Sequence, residues 1–204
     1  MNTLDNVKVI GLTGQSGAGK TSVSEIFRSL GFSVINCDAV SRRVADFPEF
    51  LAEIKEVFPD CVDESGLLRQ KLGAIVFNDA EKLRRYGGII FPYITAEIFR
   101  LIRELRDLGE KIVILDAPTL FESGLADICS AVISVVAPFD LKLKRILERD
   151  GVPVEFAKSR LSSQFSEDFF AARSDYLIKN DGDISDLKAA AADISRKLRE
   201  RFDD

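Results

Sequence analysis

Gly14-Gln15-Ser16-Gly17-Ala18-Gly19-Lys20-Thr21 carries the spacing G-x-x-x-x-G-K-[ST] in full, the pattern of a loop that wraps phosphate groups. The chemistry dictates the residue types. Glycines let the backbone come close, successive N–H groups converge on the anion, and the amino end of a following helix adds partial positive charge. In such a loop Lys20 bridges the β- and γ-phosphates of a nucleotide and Thr21 offers its hydroxyl to Mg²⁺. The loop predicts nucleotide binding and leaves open what the nucleotide is used for.

Two carboxylates close apolar runs. Asp38 follows Phe32-Ser33-Val34-Ile35 and the turn-prone Asn36-Cys37. In an open parallel sheet the carboxyl ends of neighbouring strands border one crevice. This carboxylate is therefore expected beside the γ-phosphate, where it could orient an acceptor hydroxyl, take its proton and touch the metal shell. It could equally cap the helix that begins at Ala39, and the two roles are compatible. Asp116 ends Ile112-Val113-Ile114-Leu115, a position from which aspartate holds Mg²⁺ through water; an ordinary strand-end aspartate reads the same way.

The chain has no histidine, which removes the commonest general base and the commonest nitrogen metal ligand. Acid–base chemistry must rest on carboxylates, lysine, cysteine or tyrosine. Cys37, Cys61 and Cys129 lack C-x-x-C spacing, so they read as core or incidental thiols. With 28 basic and 33 acidic side chains the net charge is −5, and no global field draws the protein to nucleic acid or anionic lipid. Local charge must hold any anion. Lys142, Arg145 and Arg149 fall on one helical face, and with Arg160 and Arg173 they form a candidate clamp over a transferring phosphoryl group; solvated arginines are the plainer reading. Arg42-Arg43 and Arg84-Arg85 stand likewise. The apolar runs are too short to cross a bilayer, and Met1–Val7 carries acid where a signal peptide carries basic charge. A cytoplasmic location follows as the expectation.

These residues need a scaffold to hold them. Val7–Thr13, Phe32–Ile35, Lys111–Asp116, Ser130–Val136 and Tyr176–Lys179 read as strands. Lys20–Leu30, Phe139–Arg149, Val154–Arg173 and Ile184–Phe202 read as helices. From Ala39 to about Arg106 helical periods dominate, broken at Phe47-Pro48, Phe58-Pro59, Ser65-Gly66 and Gly87-Gly88, with no confident strand. In Phe139–Arg149, Phe139, Leu143, Ile146 and Leu147 share the face expected to meet the core, so the basic stripe is expected to face away from it. Alternating strands and helices predict a doubly wound α/β fold.

With these pieces in order, the chain from about Lys8 to Asp183 resembles the dephospho-CoA kinase family. The likeness is carried by Ile10–Thr21, Gly31–Asp38, Leu68-Arg69 with Leu72 and Phe77, and Leu115-Asp116-Ala117-Pro118-Thr119-Leu120-Phe121-Glu122. Leu143-Lys144-Arg145, Gln164 and Ser174–Asn180 complete it. The resemblance implies a five-stranded parallel sheet with a helical substrate-binding insertion and a lid: one P-loop kinase domain over 1–204, with core at about 1–38, 111–138 and 174–204. The insertion would span about 39–110 and the lid about 139–173. It implies that ATP, with Mg²⁺, phosphorylates the ribose 3′-hydroxyl of dephospho-CoA. By position Asp38 matches the general base, Arg145 and Arg149 the lid arginines, Asn180 a residue near the adenine, and Arg69, Leu120, Phe121 and Glu122 the acceptor site. A monomer or weak homo-oligomer, without nucleic-acid or membrane partners, is expected.

Three departures stand against the family pattern. Asn36-Cys37-Asp38 replaces a usual D-A-D, Phe91-Pro92 replaces a usual His-Pro, and Ser174-Asp175 replaces Ala-Asp. The first two bear on acceptor identity and catalytic strength. A kinase for another small hydroxyl acceptor, or a nucleotide-binding switch, are the alternatives.

Overall fold

The computed structural model describes residues 6–202; residues 1–5, on which most of the targeting argument falls, and 203–204 lie outside the described residues. The elements run β1 (Lys8–Gly14), α1 (Lys20–Ser29), β2 (Ser33–Asn36), α2 (Cys37–Val44), α3 (Pro48–Val57), β3 (Val62–Asp63), β4 (Gly66–Leu67) and α4 (Arg69–Val76). There follow α5 (Ala80–Asp107), β5 (Ile112–Asp116), β6 (Ala131–Val136), α6 (Phe139–Asp150), α7 (Val154–Ser162), α8 (Glu167–Arg173), β7 (Tyr176–Lys179) and α9 (Ile184–Phe202). The chain divides into two compact units, one reaching to Ile35 and resuming at Ile102, the other Asn36–Leu101.

In the first unit a five-stranded sheet has the order β2-β5-β1-β6-β7. β1 pairs in parallel with β5 (Ile10 opposite Ile114) and with β6 (Ile10 opposite Ala131), and β6 with β7 (Val135 opposite Ile178). β5 and β6 are buried along their whole length, as central parallel strands covered on both faces must be, and their apolar runs, interrupted in β6 only by Ser134, have that cause. On one face Phe27 of α1 and Leu187, Ile194 and Leu198 of α9 pack with Ile10, Leu12, Ile114 and Ile133. Each such burial is worth at most about 1.5–3 kcal/mol. The helical stretch expected over Val154–Arg173 is two helices: Ser166 restarts the chain as an N-cap, accepting from the Phe169 amide at 3.2 Å.

The second unit departs from expectation twice. A short hairpin, β3–β4, stands where no strand was predicted. Two-residue strands leave too little alternation to detect, but the turn chemistry is local: Asp63 Oδ1 accepts from Ser65 N at 2.8 Å and Ser65 Oγ at 2.6 Å, and Gly66 takes φ +105°. Gly87-Gly88 does not break the helix; α5 runs on through both glycines and Pro92. Burial outweighs propensity here, since Ile89, Ile90 and Ile98 are buried against about 1 kcal/mol per glycine. The glycines also have uses. The Phe91 ring lies over Gly87, 3.0 Å from where a Cβ would stand. Gly88 supplies the carbonyl four residues before Pro92, the one a proline ring crowds.

Candidate functional site

The loop after β1 opens α1 with glycine geometry where the sequence needs it. Gly17 and Gly19 have φ of +76° and +97°, a region that side chains disfavour. Space forbids a side chain as well: a Cβ on Gly17 would lie 2.6 Å from the Lys142 carbonyl oxygen, and one on Gly19 would collide with the Asn180 amide. At Gly17 and Gly19 the loop backbone thus carries no side chain of its own at the amino end of a helix, where an anion is favoured.

Lys20 reaches from the start of α1 to Asp116 at the end of β5 and forms an ion pair with its Oδ1; the side chains are 13% and 3% exposed. The structure therefore brings together the two charged groups that the sequence placed at a metal-nucleotide site. Thr21 is exposed, and its hydroxyl has no hydrogen-bond partner among the described residues. A hydroxyl and one buried carboxylate are hard oxygen donors of the number Mg²⁺ takes from protein when phosphates supply the rest. Among the described residues no group of three or more His, Cys, Asp or Glu could hold a metal ion.

The basic face of α6 is turned inward at Lys142, contrary to expectation, half-buried at Arg145 and exposed at Arg149. Lys142 is 5% exposed whereas Phe139 is 46% exposed; only Leu143, Ile146 and Leu147 of the expected apolar face pack, against Ala157 and Leu161 of α7. The close approach of the α6 backbone to Gly17 is the reason, because it leaves the Lys142 side chain no route to solvent. Its ammonium donates to Gln15 Oε1, and burial pushes it below the ordinary lysine value. Sequence reasoning had grouped Lys142 with the stripe but not with the loop; only the Gly17 contact reveals the role. Arg145 donates to the Gly17 and Asn180 carbonyl oxygens, both at 3.3 Å. Asn180 in turn donates from Nδ2 to the Ala18 carbonyl at 2.7 Å, so the end of β7 is tied to the loop.

Arg149 lies elsewhere, 59% exposed and paired with Asp150 at 2.6 Å. Asp150 also takes Arg160 at 2.6 Å, and its hydrogen bonds from Arg149 and Arg160, with their charge, hold it down to about 2. Of the acceptor-segment residues, Leu120 is fully buried and Glu122 exposed. Phe121 meets Phe169 edge-on at 5.3 Å. Cys129 accords with a core thiol: burial pushes it up to about 12.

In the second unit Asp38 lies in the first turn of α2, exposed and without a partner among the described residues. The cap of that helix is Asn36, whose Oδ1 accepts from Ala39 N at 2.8 Å. The first departure from the family pattern therefore preserves a cap, since asparagine and aspartate cap about equally well. Asn36→Asp should leave the melting temperature unchanged, while Asn36→Ala should cost about 1 kcal/mol, read by denaturant unfolding. Arg69 donates to the Arg42 carbonyl at 2.9 Å and to Asp46 at 3.2 Å. With Leu67, Leu72, Phe77 and Tyr86 it lines a pocket of about 150 Å³.

The chain is similar to known proteins. A family model described as dephospho-CoA kinase matches residues 8–186. A dephospho-CoA kinase of Corynebacterium diphtheriae is 35% identical over 199 residues, 96% of this chain and 98% of that protein. Among solved structures, a Thermus thermophilus protein superposes with TM-score 0.82 at 30% identity, covering 95% of this chain and 98% of its own. A dephospho-CoA kinase from Campylobacter jejuni does so with TM-score 0.72 at 28% identity, covering 94% and 97%.

Proposed function

Because this chain belongs to the dephospho-CoA kinase family, we propose that it transfers the γ-phosphoryl group of ATP to the ribose 3′-hydroxyl of dephospho-CoA, giving coenzyme A and ADP. The observation that carries the reading is the glycine loop at the head of α1, with Lys20 set against the buried Asp116. The reaction is placed in the cytoplasm as part of this proposal. No helix among the described residues is long and apolar enough to cross a membrane.

The loop amides and Lys20 hold the phosphates, and Thr21 and Asp116 would hold Mg²⁺. That ion, when bound, neutralises charge on the β- and γ-oxygens. Asp38 accepts the 3′-hydroxyl proton as the oxygen attacks phosphorus, and the bond to the ADP oxygen breaks in line. Arg145, at the lip of the loop, meets charge on the equatorial oxygens. Arg149 joins it by exchanging Asp150 for phosphate, which is cheap because exposed pairs are worth about 0–1 kcal/mol. Asn180 keeps the loop in shape next to the base. Arg69 offers a cation at an apolar pocket, and Phe121 and Glu122 lie in the connection after β5; both features suit an acceptor that joins anionic and apolar parts. Catalysis of this kind is positioning plus charge stabilisation.

The test is ADP release from Mg-ATP with dephospho-CoA, beside adenosine, AMP, shikimate and water, with the product mass recorded. Coenzyme A formed only with dephospho-CoA is the expected result. Transfer to another acceptor in its place would move the specificity, and ADP release that no acceptor stimulates would refute the kinase reading.

A further inference from the structure

We propose that Gln164, in the connection between α7 and α8, positions the γ-phosphoryl group. The Ser16 amide donates to Gln164 Oε1 at 2.9 Å. A backbone N–H can only donate, so the oxygen of the side-chain amide must face the loop, and the nitrogen is turned away from Ser16. That nitrogen carries two N–H donors and has no hydrogen-bond partner among the described residues. Ser16 opens the run of loop amides, and a donor anchored on it stands at the mouth of the anion site.

The anchoring is rigid on both sides. Gln15, 7% exposed, donates from Nε2 to the Phe165 carbonyl at 2.8 Å and accepts from Lys142. Two adjacent residues of the phosphate loop therefore hold two adjacent residues of the connection. Behind them the Phe165 ring stacks on Phe169 at 3.9 Å and 13°, with the Arg173 guanidinium 4.7 Å from the Phe169 ring centre. A donor fixed at both flanks loses little freedom when it meets charge developing on a phosphoryl oxygen, which is the condition for strong stabilisation.

The inference rests on the reading that ATP fills the Gly14–Thr21 loop, and the experiment separates the two. Gln164→Glu keeps an oxygen for Ser16 but replaces the donors with a negative oxygen; Gln164→Met keeps the length and removes every polar atom. For both variants kcat and KM are measured with dephospho-CoA, and ADP affinity by calorimetry. Gln164→Glu should lower kcat by about 10²- to 10³-fold, with ADP affinity within about twofold because ADP lacks the group being positioned. A clasp that merely holds the connection in place would leave Gln164→Glu near wild-type turnover, and that result overturns the inference. If Gln164→Met unfolds, Gln164→Glu still decides, since its clasp is intact. Wild-type protein that binds neither nucleotide would overturn the loop reading, and this inference with it.

Discussion

Replacing Asp38 with asparagine should abolish phosphoryl transfer while leaving ATP binding and the fold intact. Removal of a general base costs about 10²- to 10⁴-fold in kcat. The structure separates this effect from the competing one. Asp38 had a second use open to it as the cap of α2, but Asn36 fills that position, with its Oδ1 2.8 Å from Ala39 N, and the Asp38 carboxylate makes no hydrogen bond among the described residues. Loss of its charge from the first turn removes only a helix-dipole interaction of about 0.3–1 kcal/mol. The check is kcat with dephospho-CoA, ATP affinity and thermal unfolding on one preparation of Asp38→Asn. Turnover within about tenfold of wild type would remove Asp38 from the role of base, whereas lost turnover with lost ATP affinity would place it in the nucleotide site instead.

The parts of the molecule that could be read from sequence are those whose physics is local or strongly periodic. β5 and β6 are buried on both faces, so their runs are almost wholly apolar, and β7 and α9 have the predicted bounds. The phosphate loop was legible because every one of its constraints, backbone approach, positive φ and the helix amino end, is met within eight successive residues. What failed depended on partners distant in the chain. The length of α5 through Gly87, Gly88 and Pro92 is set by buried Ile89, Ile90 and Ile98, which no helix propensity reports. The orientation of α6 is set by backbone contact with Gly17, 125 positions before Lys142. That contact turns a residue expected to face away from the core into a buried one. The amide network of Gln15, Ser16, Gln164 and Phe165 has no local spacing signature, because its partners lie 148 and 150 positions apart in the chain.

Lys20→Ala tests the other side of the site, and here two effects of different origin coincide. Lys20 gives up a charge-assisted contact with phosphate, worth about 10- to 100-fold in ATP affinity, and charge stabilisation in transfer worth about 10²- to 10³-fold in kcat. It also leaves Asp116, 3% exposed, without its cation. Breaking a buried pair from one side costs up to about 3–5 kcal/mol. Lys20 retains some solvent contact, so the expected loss is nearer 2–3 kcal/mol, or about 5–10 °C in melting temperature. The double variant Lys20→Ala with Asp116→Asn separates the effects, because the neutral amide no longer needs a cation. It should recover most of the lost melting temperature and none of the lost ATP affinity or turnover. If ATP affinity returned with stability, the single variant would have weakened binding only by disturbing the fold, and Lys20 would be a structural partner of Asp116. An affinity unmoved in Lys20→Ala would remove the phosphates from this loop altogether. On the proposed reading, phosphate would replace Asp116 as the anion beside Lys20 when nucleotide binds, which would leave the carboxylate for Mg²⁺. The same two side chains would then serve folding without ligand and phosphoryl transfer with it.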